Sequence, residues 1–379
     1  MGKRTSVGLL LIVVLAIGLI GLPALAAEPI KIGTVLPTTG PIATFGQSTL
    51  NGIRLAIEEI NAAGGVLGRP IELINEDTKS DATETRNAVA KLITRDNVLA
   101  IIGEVASTNT LAGAPVAQAE KVPMVTPGST NEKVTEVGDY IFRTVFIDPY
   151  QGKVVANFAA KSLKAKRAAL LTALSSDYSM GLASVFKAEF TKRGGKIVSE
   201  QSYSEGDQDF SAQLTKIRSI KPDVLYIPGY YTEIALIARQ AKQLGVKVQI
   251  LGSEGTESPK LFELGGDAVE GILFSTHYSA EVKNPIAQRF LKNYKAKYGK
   301  DPEALSALGY DAALVVADAI KRAGKVDRNA LRDALARTKN VQVVTGVITL
   351  DAKRNPIKSV VILRVEKGQK YSLVEQVNP

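Results

Sequence analysis

The chain has 379 residues, which is long enough for two domains. Of these residues 45% are hydrophobic and 22% are charged, a composition typical of soluble globular proteins. Cysteine is absent and there is one histidine, which excludes disulfide bonds and leaves one candidate base for a histidine-dependent catalytic site. The formal net charge is +9, but the lysines are scattered and are not interleaved with stacking aromatic side chains. We therefore expect no nucleic-acid partner.

Residues 1–26 have the pattern of a secretory signal peptide. Lys3 and Arg4 precede an apolar stretch at residues 7–22, and small residues at 24–27 match an A-x-A cleavage site. The apolar stretch is shorter than the roughly 20 residues that a membrane-spanning helix requires. We expect export to the periplasm, a mature chain that begins at Ala27 or Glu28, and no cysteine-linked lipid anchor.

A strand–helix alternation follows the signal peptide. Short β-type runs are predicted at residues 30–37, 71–77, 98–103 and 122–126, with amphipathic helices between them. The helix at 51–63 ends at Gly64-Gly65, as helix C-termini prefer. Asp81, with Glu84 three residues later, predicts the start of the next helix through a near capping box.

The same order of elements recurs from residue 167. Strands are predicted at 167–173, 196–203, 223–229 and 248–252, and the diglycine recurs at Gly194-Gly195. Strands joined by helices form parallel sheets, so the chain is predicted to be α/β with two Rossmann-like doubly wound lobes. Residues 277–379 do not repeat this unit and must pack on the two lobes.

Hydroxyl-bearing residues follow two strands of the first lobe. Ser107 and Thr108 come after the strand at 98–103, at the start of a helix, and Thr130 comes after the strand at 122–126. A helix N-terminus favours an anion, although serine and threonine also serve there as ordinary N-caps. The sequence around Ser107 leaves both roles open.

The strand ends of the second lobe carry a different set of side chains. Tyr178 follows the strand at 167–173, Tyr230 follows that at 223–229, and Glu254 follows that at 248–252. Ligands of such sheets bind beyond the carboxyl ends of the strands. Hydroxyls and amides on one lobe, facing aromatic rings and one carboxylate on the other, would suit a small zwitterion.

Motifs for other chemistry are missing. The sequence contains no G-x-x-x-x-G-K-[ST], no G-x-G-x-x-G and no G-x-S-x-G. His277 lies in a segment between the lobes, where a structural role is expected, and no clustered ligands point to a metal. We expect no catalytic residues, no metal and no cofactor.

The sequence resembles the periplasmic leucine/isoleucine/valine-binding proteins of ABC importers over the whole mature chain. The motifs that carry the resemblance include "ASTNT" (106–110), "TPGST" (126–130), "FRTVFIDPYQG" (142–152), "YSMG" (178–181), "PGYYTE" (228–233), "GSEGT" (252–256) and "YDAA" (310–313). The resemblance implies the type I periplasmic binding protein fold, with a three-segment hinge. One lobe would comprise 27–146 plus 277–349, and the other 147–276 plus 350–379.

The resemblance also implies contacts for an amino acid. Its carboxylate would meet Ser107, beside Thr108, and Thr130. Its ammonium would meet the Gly128 carbonyl, Thr130 and Glu254, with Tyr230 nearby. Tyr178 would cover the side chain, and Phe45 would form an apolar wall. Neither Leu305 nor His277 is assigned to the ligand, because the family pattern is not clear around them.

The function implied is capture of a neutral, branched aliphatic amino acid and its delivery to an ABC permease by a monomeric receptor. Three alternatives stay open. The same fold could bind an amide, urea or an aromatic acid, or could present its ligand to a signalling receptor. An exported enzyme is the third, with His277 as its one candidate histidine base.

Overall fold

A computed structural model describes Gly2, residues 28–279, residue 281 and residues 284–378. The signal peptide predicted at residues 1–26 lies outside the described residues, apart from Gly2. Among the helices of the described ranges, none has both the length and the apolar character required to cross a bilayer.

The first sheet has five parallel strands in the order β2-β1-β3-β4-β5. The strands are β1 (Ile30–Leu36), β2 (Ile71–Asp77), β3 (Ala100–Gly103), β4 (Met124–Thr126) and β5 (Ile141–Arg143). The helices between them are α1 (Ala43–Ala62), α2 (Ala82–Thr94), α3 (Ser107–Ala119) and α4 (Lys133–Glu136). Strands β3, β4 and β5 are buried along their whole length, as expected for a parallel sheet covered on both faces.

The second part of the chain repeats this order. Its elements are α5 (Asp148–Asn157), β6 (Arg167–Ala173), α6 (Asp177–Lys192), β7 (Lys196–Tyr203), α7 (Ser211–Ile220), β8 (Val224–Tyr226), α8 (Tyr231–Gln243), β9 (Gln249–Gly252), α9 (Pro259–Gly265) and β10 (Leu273–Thr276). Strands β6 to β10 are parallel to one another, and a single 3-10 turn at Glu254–Thr256 follows β9.

The C-terminal residues complete both halves. Helices α10 (Pro285–Tyr298), α11 (Ala304–Ala323) and α12 (Arg328–Ala336) return to the first half, where α11 packs against α1. A small hairpin, β11 (Val341–Val343) and β12 (Gly346–Ile348), precedes β13 (Val360–Glu366) and β14 (Lys370–Val377). The last two strands extend the second sheet, antiparallel, to the order β14-β13-β10-β9-β8-β6-β7.

The predicted α/β class with two Rossmann-like lobes is confirmed, and the chain crosses between the lobes three times. The crossings lie between β5 and α5, between β10 and α10, and between β12 and β13. The lobe boundaries predicted at residues 146, 276 and 349 fall within these crossings and stay predictions.

Local signals explain several element ends. Asp81 caps α2, with its carboxylate accepting bonds from the Thr83 and Glu84 amides at 2.7 and 2.9 Å. Gly64 and Gly194 follow helices with φ of 100° and 83°, a region that glycine adopts without a steric penalty. The predicted start of α1 at residue 51 is wrong, since α1 already begins at Ala43.

Candidate functional site

A cavity lies between the carboxyl ends of strands from both lobes. Six of the eight predicted site residues line the cavity: Phe45, Ser107, Gly128, Tyr178, Tyr230 and Glu254. Residues separated by up to 209 positions in the chain therefore meet at one site, as the predicted topology requires.

Ser107 is the first residue of α3 and faces the cavity from the first lobe. Its hydroxyl accepts a bond from the Asn131 amide at 3.2 Å, and the N-cap of the helix is Ala106 rather than Ser107. The Ser107 hydroxyl therefore does not cap its own helix. The first-turn N–H groups of a helix lack intrahelical partners, so this end of α3 provides donors for an anion.

Thr108 lies away from the cavity. Its hydroxyl accepts a bond from the Asp177 amide of the second lobe at 3.0 Å, and the residue lines a neighbouring groove. Successive helical residues point about 100° apart, so Ser107 and Thr108 cannot both face the same small cavity. The Thr108 side chain thus makes a contact between the lobes, and a ligand contact of this residue stays a prediction.

Glu254 faces the cavity from the second lobe and is only partly exposed. Its Oε1 accepts a bond from the buried Thr130 hydroxyl of the first lobe at 3.2 Å, and its Oε2 accepts one from the Gln151 amide. Burial raises the pKa of Glu254 to about 7, and the bonds from Gln151, Tyr178 and Thr130 oppose that rise. Thr130 therefore contacts the site residue Glu254, although Thr130 does not line the cavity itself.

The two predicted tyrosines form a flat wall. The rings of Tyr178 and Tyr230 stack at 5.3 Å with an interplanar angle of 4°, and Phe45 packs edge-on against Tyr230 at 5.8 Å. The Tyr178 hydroxyl donates to the Ser253 hydroxyl at 2.7 Å. Burial raises the pKa of both tyrosines well above the ordinary value, so both are neutral.

The remaining wall was not predicted from the sequence. Val105, Leu305 and Leu308 contribute apolar surface, with Ala304 beside them at the first residue of α11, and Glu257 and Thr276 add polar groups. A chain that crosses three times brings a segment after β10 back to the cleft, so a contribution from this part of the chain could have been predicted. Residues 303–310 carry no clear motif, so the sequence did not indicate which of them would line the cavity.

His277 also lines the cavity, but its surroundings do not suit catalysis. Its ring stacks on Phe146 at 3.6 Å, and neither ring nitrogen has a hydrogen-bond partner among the described residues. Burial, with Lys358 nearby, lowers its pKa well below the ordinary value. A neutral imidazole without a carboxylate partner lacks the arrangement of a catalytic triad. Across the described ranges, no three metal-ligating side chains are grouped to hold an ion.

The two lobes touch each other around the cavity, so the cleft is closed. Bonds from one lobe to the other join Thr44 to Ser258 at 2.9 Å, Asn131 Nδ2 to the Asp177 carbonyl at 2.7 Å, and the Ala304 amide to Glu257 at 2.9 Å. A closed cleft removes its charged groups from bulk water, which strengthens their interaction with a ligand.

Comparison with known proteins supports the family suggested by the motifs. A model of the periplasmic binding protein family matches residues 29–370. A leucine-, isoleucine-, valine-, threonine- and alanine-binding protein of Pseudomonas aeruginosa is 33% identical over 332 residues, covering 87% of this chain and 88% of the relative.

Solved structures give the same result. A leucine-binding protein from Thermotoga maritima superposes with a TM-score of 0.89 and 48% identity, covering 92% of this chain and 99% of that one. A branched-chain amino acid transporter substrate-binding protein from Streptococcus pneumoniae, in complex with isoleucine, has a TM-score of 0.88 and 34% identity, covering 93% and 100%. The chain therefore belongs to the periplasmic binding protein family and has its type I fold.

Proposed function

We propose that this protein captures a branched aliphatic L-amino acid in the cavity between its lobes and delivers it to an ABC permease. The observation that carries the proposal is the pairing of opposite binding chemistry across one closed cavity. The N-terminus of α3 faces it from one lobe, and the carboxylate of Glu254 faces it from the other, where Glu257 also lines the cavity.

The negative end of the ligand is assigned to the first lobe. Ser107 and the first-turn amides of α3 would donate to the carboxylate, with the Thr130 hydroxyl close by. No lysine or arginine lines the cavity among the described residues, so neutral donors and the helix dipole would balance the charge.

The positive end is assigned to Glu254 and to the carbonyl of Gly128. An ammonium donates three hydrogen bonds, which matches a carboxylate oxygen, a backbone carbonyl and a hydroxyl. Each charge-assisted bond contributes about 1.5–3 kcal/mol. Without an ammonium, closure would leave Glu254 in a poorly hydrated site, where a lone carboxylate is costly.

The side chain of the ligand would lie against Phe45, Val105, Tyr178, Leu305 and Leu308. These walls are almost wholly apolar, which favours an aliphatic group at about 0.8 kcal/mol per buried CH₂. Together with the bonds to the charged ends, this burial supports a Kd of about 1 μM or lower, which corresponds to a binding free energy of about −8 kcal/mol or more negative. No chemical conversion is proposed, since no residue of the cavity is arranged as a nucleophile with its base.

An aromatic acid is the alternative cargo. A relative from Rhodopseudomonas palustris with 27% identity was solved with 3,4-dihydroxybenzoic acid. Such a ligand has no ammonium for Glu254, so the carboxylate in this cavity favours an amino acid. We further propose that the protein acts as a monomer in the periplasm, after removal of the signal peptide at residues 1–26.

A thermal-shift screen of the mature protein tests the assignment. Leucine, isoleucine or valine should raise the melting temperature, because a ligand at about 100 times its Kd stabilises the folded state by about 2.7 kcal/mol. Alanine and phenylalanine serve as size controls. A rise with benzoate and none with any amino acid would contradict the proposal.

A further inference from the structure

Gln151 is a fully buried side chain that touches the charged group of the cavity from behind. It lies in the first turn of α5, immediately after the crossing from the first lobe. Its Nε2 donates to Glu254 Oε2 and to the Ser275 hydroxyl, the latter at 2.8 Å. Gln151 does not line the cavity and was not among the predicted site residues.

These contacts fix which way the amide points. A glutamine amide nitrogen has two hydrogens, and here one is directed at the carboxylate of Glu254 and the other at Ser275. When Glu254 is ionised, the opposite orientation would place the amide oxygen against a carboxylate oxygen, which is repulsive. The donor end therefore faces Glu254 in that charge state.

The contact divides the two oxygens of Glu254 between different tasks. Oε2 is held by Gln151 from within the second lobe, whereas Oε1 points to Thr130 across the cleft at 3.2 Å. Since Gln151, Ser275 and Glu254 all belong to elements packed in the second lobe, their contacts do not require the cleft to close. The acid can thus be oriented before the ligand arrives.

We propose that Gln151 is a positioning residue, which holds the Glu254 carboxylate in the orientation and charge state that a ligand ammonium requires. The inference rests on the proposed function. It adds a residue outside the cavity that tunes affinity through Glu254.

The charge state matters because other groups around Glu254 oppose its ionisation. Burial raises the pKa of Glu254, and the bond from Gln151 is the largest opposing influence. The neighbouring Asp148 has its own pKa raised well above the ordinary value by burial and by Glu254. Tyr178, Tyr226 and Tyr230 also face Glu254, and the pKa of each is raised well above the ordinary value by burial, so they carry no charge.

The test compares leucine binding by the wild type and Gln151→Met between pH 5.5 and 8.5, using isothermal calorimetry. Methionine keeps the length of the side chain and removes both donors. A lost bond to a charged group, about 1.5–3 kcal/mol, corresponds to about one to two pKa units. We expect the pH at which affinity starts to fall to move up by about one unit or more, with binding at pH 7 about fivefold weaker or more.

Two further variants sharpen the result. Gln151→Leu also removes both donors and should move the profile upward about as far, which keeps the test valid if Gln151→Met folds poorly. Gln243→Met removes an exposed glutamine on α8 and should leave the profile unchanged. A residue that only supports packing would alter the melting temperature without moving the pH profile.

The outcomes separate the two proposals. If the wild type binds leucine and both Gln151 variants keep its pH profile, the positioning role is overturned while the proposed function stands. If the folded wild type binds no amino acid at any pH, the proposed function itself fails.

Discussion

Replacing Glu254 by glutamine is the substitution that isolates the charge in the cavity. Glutamine has nearly the same shape, so the stacked tyrosines and the Thr130 contact have little reason to move. The ammonium would lose a charge-assisted bond, worth about 1.5–3 kcal/mol, which corresponds to about 10- to 150-fold weaker binding of leucine.

The pH dependence gives the same substitution a second readout. In the closed structure without a ligand, burial raises the pKa of Glu254 to about 7, whereas a bound ammonium beside it lowers the pKa. Below pH 7 the wild type must therefore release a proton to bind, and its affinity should fall by up to about tenfold per pH unit. Above pH 7 the carboxylate is already ionised and affinity should level off.

Calorimetric titrations with leucine between pH 5 and 8.5 check both readouts. The wild type should show the fall below pH 7. Glu254→Gln should bind weakly and its affinity should fall less steeply, with the remaining pH dependence coming from Glu257, whose pKa burial also raises to about 7. Near-wild-type affinity in the variant, or an unchanged pH profile, would refute the role of Glu254 as the ammonium partner.

Two other substitutions probe closure and the hinge. Glu257→Gln weakens the bond that Glu257 of the second lobe accepts from the Ala304 amide at 2.9 Å. Because one charged hydrogen bond is partly lost, leucine should bind about 5- to 10-fold more weakly. An unchanged Kd would show that this contact does not favour the closed form. Lys358→Met leaves the buried Asp311 carboxylate without the cation that lies 4.0 Å away, and chemical denaturation should show a loss of about 3–5 kcal/mol in unfolding free energy. The double variant Lys358→Met/Asp311→Asn should regain part of that loss, and a double variant as unstable as the single one would contradict the pairing.

The fold was largely predictable because its long strands and helices carry periodic patterns. The predicted strands at 167–173 and 196–203 coincide with β6 and β7. The short strands β5 and β10 were missed, since three or four fully buried residues show no alternation that distinguishes them from other apolar runs. The early start of α1 was missed because Ala43 has no side-chain cap before it to mark the boundary.

The site was predictable where it follows from strand ends and unpredictable where it depends on the crossings. Ser107, Tyr230 and Glu254 come directly after strands, so topology brings them together. Gln151 lies in α5 and Leu305 in α11, and both helices follow a crossing between the lobes. No sequence pattern encodes how a helix that follows a crossing is oriented toward the cavity. Both residues emerged only from the three-dimensional contacts.

The central claim is that one closed cavity binds both ends of a zwitterion, and calorimetry with leucine and two one-ended analogues tests it most directly. 4-Methylpentanoic acid lacks the ammonium, and 3-methylbutylamine lacks the carboxylate. On folded protein freed of co-purified ligand, leucine should bind at least about 100-fold more tightly than either analogue. On closure the acid leaves Glu254 without a partner, and the amine leaves Ser107 and the first-turn amides of α3 without one. If 4-methylpentanoic acid binds as tightly as leucine, the account is contradicted.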